Sequence, residues 1–352
     1  MSATQSAAEA TGNSAVAVVT ESVAQPPSTI VAPTEESIAR AAALLRAGDV
    51  VALPTETVYG LGADASNPDA VRKIFKLKGR PADHPVIVHI LGAEQLDQYA
   101  RDIPDAARVL ARHFWPGPLT LVLRRSAGVP DVVTGGQDTV GLRAPAHPVA
   151  RALLAAFGGG IAAPSANKFG RISPTLAAHV AADFGNQAPL ILDGEATTIG
   201  IESTIIDLSG DVPRLLRPGA ITATQLEEVL GVSLGTAGAD APRASGTLPK
   251  HYAPKAALRL VKRVEMIEAL SSNRGRRVAV LALEVNVPRL AQNLVRVVPA
   301  VAAQYAHALY ANLRALDATG ADLILVEQPP QTAAWAAIND RLARAAHAAD
   351  KG

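Results

Sequence analysis

Short apolar runs separated by helical patterns constrain the fold of this chain more than any other feature. The runs are three to six residues long, and amphipathic stretches such as Val149–Phe157 and Ala177–Phe184 lie between them. Strands of this length that alternate with helices predict an α/β domain whose sheet is covered by helices. The predicted strands are Val50–Leu53, Val86–Ile90, Leu119–Leu123, Val140–Leu142, Ile161–Ala163, Leu190–Leu192 and Ser203–Leu208.

A change in composition near residue 231 divides the folded chain into two parts. Residues 231–256 are rich in Gly, Ala, Ser and Pro and show no helical or strand period, so we interpret them as a linker. Residues 257–352 resume the alternation and predict a second, smaller βαβ-type domain. Its predicted strands are Leu258–Val261, Arg277–Leu283, Leu294–Val298 and Asp322–Glu327.

The N-terminal segment differs from both domains. Residues 1–33 contain no Lys, Arg or aromatic residue. Such a segment cannot bury enough surface to offset the entropy of ordering, so we expect a disordered tail. Without basic residues it matches neither a secretory signal nor a mitochondrial presequence. The first domain, residues 34–230, is predicted to begin at Thr34, which opens the predicted helix Ile38–Ala47.

Composition excludes several classes of site. The chain has no cysteine, which rules out disulfides, thiolate nucleophiles and Cys-ligated metals and is typical of a reducing cytoplasm, where we expect the protein. Lys+Arg number 33 and Asp+Glu 32, so no excess of positive charge favours nucleic acid or anionic lipid along the whole chain. No apolar run approaches the ~20 residues that span a bilayer, so we expect no membrane association.

Polar residues follow the first predicted strand. Thr55, Glu56 and Thr57 stand where that strand ends, and Gly60 and Gly62 permit a tight turn or a close approach of the backbone to a ligand. Ligand sites of open α/β sheets gather at the carboxyl ends of strands. The cluster therefore indicates either a ligand site or an ordinary strand-to-helix turn.

A basic segment follows at residues 72–80. It contains Arg72, Lys73, Lys76, Lys78 and Arg80 with no acidic residue among them. A solvated helix face accounts for the first two. The Gly and Pro around Arg80 should instead end the helix and fix Lys78 and Arg80 in a rigid loop, which suits a polyphosphate. The chain has no G-x-x-x-x-G-K-[ST] motif, so ATP at this loop would be bound without a Walker loop.

A hydroxyl and an amide follow the strand at Ile161. Ser165 and Asn167 stand two residues apart in Pro-Ser-Ala-Asn, where they can donate to a phosphate or simply form a turn. Ser173, a few residues on, is a further candidate or only a helix cap.

Seven motifs in this order resemble the threonylcarbamoyl-AMP synthase family (YrdC-like domain) in its long, two-domain form. The resemblance is strong from Ile38 to Gly219 and weaker beyond Pro254. The motifs are Pro-Thr-Glu-Thr-Val-Tyr-Gly-Leu-Gly, Lys-x-Arg-Pro, Trp-Pro-Gly-Pro-Leu-Thr, Leu-Arg-Ala-Pro-Ala-His-Pro, Pro-Ser-Ala-Asn, Ile-Glu-Ser-Thr-Ile and Leu-Arg-Pro-Gly, with a His-Tyr-Ala-Pro end to the linker.

The resemblance implies an open twisted α/β sheet with a concave cavity and a smaller Rossmann-like C-terminal domain. It also implies L-threonine, bicarbonate, ATP and Mg²⁺ as ligands, with tRNA or threonylcarbamoyl-transferase proteins as possible partners. Lys78 and Arg80 would be the catalytic cations. The implied ATP contacts are Lys78, Arg80, Ala82, Thr139, Ser165, Asn167, Ser173, Arg217 and Tyr252. The implied threonine contacts are Thr55, His89, Arg143, Ala163 and Ser203.

Two further points follow from the resemblance. His84 stands where the family more often has Asn. Lys250–Pro254 is expected to fold over the cavity as a lid, with packing of Tyr252 on the second domain as the alternative. A different class of function is also consistent with the basic segment, namely a non-catalytic module that binds double-stranded RNA. Small polar groups at strand ends, such as Ser165, Asn167 and Ser203, favour the enzyme, because a reader of RNA shape has no need of them.

Overall fold

The structure is a computed structural model, which describes residues 29–238, 240–249, 251–283 and 294–347. Most of the predicted tail, residues 1–28, lies outside the described residues, as does Lys250 of the predicted lid. The end of the predicted tail is structured, because Ile30–Val31 forms an edge strand that pairs in parallel with Leu190–Leu192. Folded structure therefore begins before Thr34, and a strand this short leaves no pattern in the sequence.

The first domain is built on a mixed ten-stranded sheet with the order β1-β8-β2-β3-β7-β4-β6-β5-β9-β10. Apolar residues cover both faces of this sheet under the helices, as the apolar runs predict. The strands are β1 (Ile30–Val31), β2 (Val51–Leu53), β3 (Gly60–Asp64), β4 (Ile87–His89), β5 (Leu119–Arg124), β6 (Thr139–Arg143), β7 (Ile161–Ala162), β8 (Leu190–Leu192), β9 (Thr204–Asp207) and β10 (Arg214–Arg217). The helices are α1 (Glu35–Arg46), α2 (Pro68–Lys78), α3 (Leu96–Tyr99), α4 (Asp105–Phe114), α5 (Asp131–Thr134), α6 (Pro148–Phe157), α7 (Ala177–Phe184) and α8 (Ala223–Leu230).

The second domain has a parallel four-stranded sheet with the order β11-β14-β12-β13. Every strand predicted there is present. The elements are β11 (Ala257–Val261), α9 (Met266–Ser271), β12 (Val278–Leu283), β13 (Leu294–Val298), α10 (Ala302–Asp317), β14 (Leu323–Glu327) and α11 (Ala336–Ala346). Over the residues that the structure describes, no helix is long and apolar enough to cross a membrane.

The segment Gly60–Asp64 is a strand, so of the two alternatives left open by the sequence, the strand-to-helix turn is wrong for these residues. It pairs antiparallel with β2 and with β7. A Cβ atom at Gly62 would lie 2.8 Å from Ile161 Cγ2 and 2.9 Å from Leu53 Cδ2, so this glycine allows neighbouring side chains to cross the strand. Gly60 faces the cavity described below. Gly62 thus allows close packing of side chains, and Gly60 lines the cavity.

Candidate active site

A concave cavity of about 590 Å³ opens at the ends of the central strands of the first sheet. Most of the predicted site residues line it: Thr55, Lys78, Arg80, His89, Arg143, Ala163, Ser165, Asn167, Ser203, Arg217 and Tyr252. Residues far apart in the sequence therefore meet at one place, as the strand-end argument predicts.

Strand pairing places the residues at the inner end of this cavity. His89 ends β4 and Arg143 ends β6, and the two are direct partners in the parallel register. Thr55 follows β2, and Ala163 follows β7, which pairs antiparallel with β4. His89 and Arg143 thus lie on strands, and Thr55 and Ala163 lie within two residues of a strand end.

Lys78 lies at the other end, where helix α2 stops. Gly79 ends the helix in the left-handed conformation with φ 64°. The Lys78 Nζ donates to the carbonyl oxygens of Ser165 at 2.5 Å and Asn167 at 2.6 Å, which ties the helix end to the Pro-Ser-Ala-Asn loop. Burial, together with the nearby Arg80 charge, holds the pKa of Lys78 well below its usual value. An anion in the cavity would reverse that effect.

Arg80 and Arg217 add two more cations to this end. Arg80 donates from Nη2 to the Pro85 carbonyl at 2.8 Å, but its buried Nε has no partner among the described residues. Burial lowers the pKa of Arg80 to about 10. Arg217 is buried and donates to the carbonyl oxygens of Ser203 and Ser245. Buried donors without an anionic partner are costly, so this end of the cavity is suited to a polyphosphate.

Arg143, at the inner end, is held by a partner that the sequence analysis did not assign. Its Nη2 donates to Glu56 Oε1 at 2.6 Å, its Nη1 to Thr57 Oγ1 at 2.9 Å, and its Nε to the Gly117 carbonyl at 3.2 Å. Burial alone would raise the pKa of Glu56, but the Arg143 charge and hydrogen bond lower it. Two of the five N–H groups of Arg143 make no hydrogen bond to described residues and remain available to a carboxylate.

His89, beside Arg143, is neutral. Burial, with a smaller contribution from the Arg143 charge, lowers the pKa of His89 to about 3. Its Nδ1 is buried and has no partner among the residues described. The ring therefore offers one unused polar atom to a ligand without adding charge.

Glu202 lines the cavity and joins it to the second domain. Its Oε2 accepts from Tyr310 Oη at 2.8 Å and from Arg341 Nε at 2.9 Å, both of which come from the C-terminal domain. Its Oε1 accepts from Ser173 Oγ at 2.5 Å. Burial would raise the pKa of Glu202, but Arg341, Arg217 and these hydrogen bonds lower it to about 2.

Arg314, on α10, makes a second contact between the domains. It pairs with Asp183 at 2.6 Å and donates to the carbonyl oxygens of Ser173 and Ile172. The C-terminal domain thus holds two loops of the first domain, one with Ser173 and one with Glu202 and Ser203. No sequence signal marked Arg314 or Arg341 for this role.

The linker also reaches the cavity, and Tyr252 is its most enclosed residue. Tyr252 is 1% exposed and has a positive φ of 61°, which a tyrosine rarely adopts. Its ring stacks on Tyr310 at 5.7 Å between centroids and lies below the Arg341 guanidinium at 5.4 Å. The backbone N–H of Ala253 donates to Gly170 in the first domain at 2.8 Å. Tyr252 therefore both lines the cavity and packs on the second domain, so the two interpretations of this residue are compatible.

Three predicted residues do not line the main cavity. Ala82 is exposed in the loop after Arg80. Ser173 is buried behind Glu202. Thr139 lines a neighbouring cavity of about 300 Å³ that shares Ile87 and Ser245 with the main one.

The exposed part of the basic segment makes surface ion pairs. Arg72 pairs with Asp69 and Lys73 with Asp49, whereas Lys78 points inward. A surface that binds an RNA backbone needs accessible cations, whereas Lys78 and Arg80 of this segment line the cavity. Elsewhere, no group of three or more His, Asp or Glu side chains that could hold a metal occurs within the described part of the chain.

Comparison with known proteins covers both domains. A family model for Sua5, YciO and YrdC proteins, described as telomere recombination, matches residues 43–219. A second, described as the threonylcarbamoyl-AMP synthase C-terminal domain, matches residues 221–347. The chain is 42% identical to the threonylcarbamoyl-AMP synthase of Pyrococcus abyssi, over 88% of this chain and 94% of that one. It is 43% identical to the enzyme of that name from Bacillus subtilis, over 89% and 93%.

The solved structures agree with this relation. The crystal structure of P. abyssi Sua5 complexed with L-threonine superposes with a TM-score of 0.82 at 42% identity and covers 89% of this chain and 94% of that one. The similarity extends through both domains and the linker between them. The chain belongs to the threonylcarbamoyl-AMP synthase family.

Proposed function

We propose that this protein is an L-threonylcarbamoyladenylate synthase. It condenses L-threonine, bicarbonate and ATP to threonylcarbamoyl-AMP and pyrophosphate, for the threonylcarbamoyladenosine modification of tRNA. One observation carries the proposal: a single cavity holds a group of buried cations at one end and a buried arginine–histidine pair at the other. Relatives that carry the synthase name over nearly their whole length support it.

The inner end suits L-threonine. The free N–H groups of Arg143 would take its carboxylate, and the locked geometry of that guanidinium would fix the orientation. His89 and Thr55 supply neutral polar atoms, and Ala163 leaves room for the amino acid. Ser203 lies between this end and Arg217, to which it is hydrogen-bonded. These assignments place the threonine amine towards the phosphate end.

The outer end suits the triphosphate of ATP. Lys78, Arg80 and Arg217 would neutralise its charge, and Ser165 and Asn167 offer polar groups between them. The second cavity would take the nucleoside, because its walls combine apolar Val86, Val122 and Ile205 with polar Thr139, Gln137 and Thr120. Mg²⁺ would enter with the nucleotide and be held by phosphate oxygens and water, since the described residues offer no carboxylate cluster.

The chemistry needs alignment more than a strong base. The threonine amine attacks bicarbonate, and loss of water gives an N-carboxylate. One oxygen of that carbamate attacks the α-phosphorus while the bond to the pyrophosphate oxygen breaks, so pyrophosphate leaves with the electron pair. The nucleophile is already anionic, and the site must bring two anions together. This reaction makes the enzyme a nucleotidyltransferase.

The product is a mixed anhydride of a carbamic and a phosphoric acid, and this anhydride is readily hydrolysed by water. It must therefore be passed to tRNA or to threonylcarbamoyl-transferase proteins, and Tyr252 with its neighbours would exclude water until then. A cytoplasmic location stays a prediction from composition.

Product detection tests the proposal. The purified chain with ATP, Mg²⁺, L-threonine and bicarbonate should yield threonylcarbamoyl-AMP by mass spectrometry, with pyrophosphate in equal amount. Leaving out either threonine or bicarbonate should abolish the formation of both products. Lys78→Ala should reduce the rate of formation of both about ten- to a hundredfold, and Arg72→Ala, on the exposed face of the same helix, should leave it unchanged. Double-stranded RNA binding with no adenylate formed would contradict the proposal and favour the RNA-binding alternative.

A further inference from the structure

Gln137 pairs with the backbone of the linker in both directions. Its Oε1 accepts from the Arg243 backbone N–H at 2.7 Å, and its Nε2 donates to the Arg243 carbonyl at 3.1 Å and to the Thr134 carbonyl at 3.3 Å. A side-chain amide that accepts from the N–H and donates to the C=O of one residue makes the same pair of hydrogen bonds with the backbone as a neighbouring β-strand would. This contact fixes the position of the linker whatever side chain residue 243 carries.

Two other contacts hold the same short stretch. Arg243 Nη2 donates to the Gly135 carbonyl at 2.8 Å, and Arg217 Nη1 donates to the Ser245 carbonyl at 2.6 Å. The first domain thus binds the linker at both ends of residues 243–245. Those three residues, with Gln137, also form part of the wall of the second cavity. A loop that leaves this position would open that cavity.

The hydrogen bonds between Gln137 and Arg243 are weak enough to break and re-form as the linker opens and closes. Arg243 is exposed and Gln137 is only half-buried, so each hydrogen bond competes with water. Segments that open locally are held by few buried contacts. The next carbonyls, of Thr247 and Leu248, are bound separately by Arg344 from the C-terminal domain, at 2.6 and 2.7 Å. Opening at residue 243 therefore does not require the domains to part.

We propose that Gln137 is a positioning residue that latches the linker over the nucleoside end of the cavity. Release of its amide pair, followed by release of the Arg243–Gly135 and Arg217–Ser245 contacts, frees residues 243–245 and lets the nucleotide pass. Closure restores the pair and the wall. This inference rests on the proposed function only where it assigns the second cavity to the nucleoside, since the latch itself is a property of the unliganded chain.

Limited trypsin digestion tests the latch directly, because the bond after Arg243 lies inside it. Gln137→Met keeps the length and volume of the side chain and removes the amide. Cleavage after Arg243, mapped by mass spectrometry without any substrate, should become about tenfold faster, as the open fraction rises with the loss of the two hydrogen bonds to the linker. Gln98→Met is the matched control, because Gln98 is an exposed glutamine whose side chain makes no hydrogen bond to described residues.

Steady-state kinetics of the same variants give the second readout. Gln137→Met should raise the KM for ATP about three- to tenfold and leave the KM for threonine and the kcat nearly unchanged. Cleavage of Gln137→Met no faster than that of wild type and of Gln98→Met would overturn the latch. Faster cleavage with an unchanged KM for ATP would overturn its role at the nucleotide. If wild type forms no threonylcarbamoyl-AMP, the proposed function fails, and the digestion still decides whether the latch exists.

Discussion

Replacing Arg341 with methionine should weaken the attachment of the C-terminal domain to the cavity. The Arg341 side chain is fully buried, and its Nε donates to Glu202 Oε2 at 2.9 Å. Methionine keeps much of the apolar volume and removes the charge, so Glu202 would be left buried with only its hydroxyl donors and Arg217. An uncompensated buried carboxylate is among the few changes that destabilise a protein strongly.

The pKa of the Glu202 carboxyl sets the expected size of the loss in unfolding free energy. Its pKa is lowered from 4.5 to about 2, an interval that corresponds to about 3 kcal/mol. Breaking a buried ion pair from one side typically costs about 3–5 kcal/mol, which agrees. Because the folded pKa lies below the unfolded one, this stabilisation is present above pH 4.5 and is lost as the pH falls towards 2.

Scanning calorimetry is the suitable assay, because a two-domain chain can unfold in more than one step. Arg341→Met and Glu202→Gln should each lower the melting temperature by about 6–12 °C, and the double variant should lose clearly less than the sum. Arg259→Met, at an exposed position on β11, is the control and should change it little. Additive losses of about 1 kcal/mol or less from both changes would refute the reasoning.

Three further outcomes are expected at the cavity itself. Lys78→Ala and Arg80→Ala should each reduce pyrophosphate release about ten- to a hundredfold, and Arg72→Ala should not; full activity in both would remove the phosphate site from this loop. Arg143→Ala should raise the KM for threonine far more than that for ATP, and equal effects on the two would place Arg143 elsewhere. Tyr252→Ala should release AMP at the expense of threonylcarbamoyl-AMP, measured by chromatography; a normal product yield, with cleavage of the linker that ATP and threonine do not slow, would make the segment a plain tether.

Most of the regular elements could be predicted because they bury an apolar run, but β1 and β10, which are mostly half-buried, were not. Strands such as Leu190–Leu192 and helices such as Ala177–Phe184 begin and end where the pattern places them. Gly60–Asp64 could not be recognised in this way. Its two glycines are typical of turns, and only the crossing side chains of Leu53 and Ile161 explain them in a strand.

The residues of the candidate site also fall into two groups, those marked by a motif in the sequence and those that act through contacts across the fold. That Lys78, Ser165 and their neighbours lie together at one cavity could be predicted, because they belong to compact motifs at element ends. The partners that hold the site were not, since Glu56 resembles any polar residue after a strand and Arg341 any charge on a helix. Their roles depend on distances across the fold: 2.6 Å from Glu56 to Arg143, and 2.9 Å from Glu202 to Arg341. Tertiary pairing of this kind leaves no local pattern in one sequence.

In the cavity, Lys78 and Arg217 donate to the chain's own carbonyl oxygens. Lys78 donates to Ser165 and Asn167, and Arg217 donates to Ser203 and to Ser245 of the linker. If phosphate binds at Arg217 as proposed, it would replace a neutral acceptor with a charged one, and one of the carbonyls that Arg217 now holds, that of Ser245, belongs to the linker. On that proposal, nucleotide binding and linker position are coupled through one guanidinium. The two hydrogen bonds from the Gln137 amide to Arg243 would then act on the same equilibrium between open and closed linker as the nucleotide does.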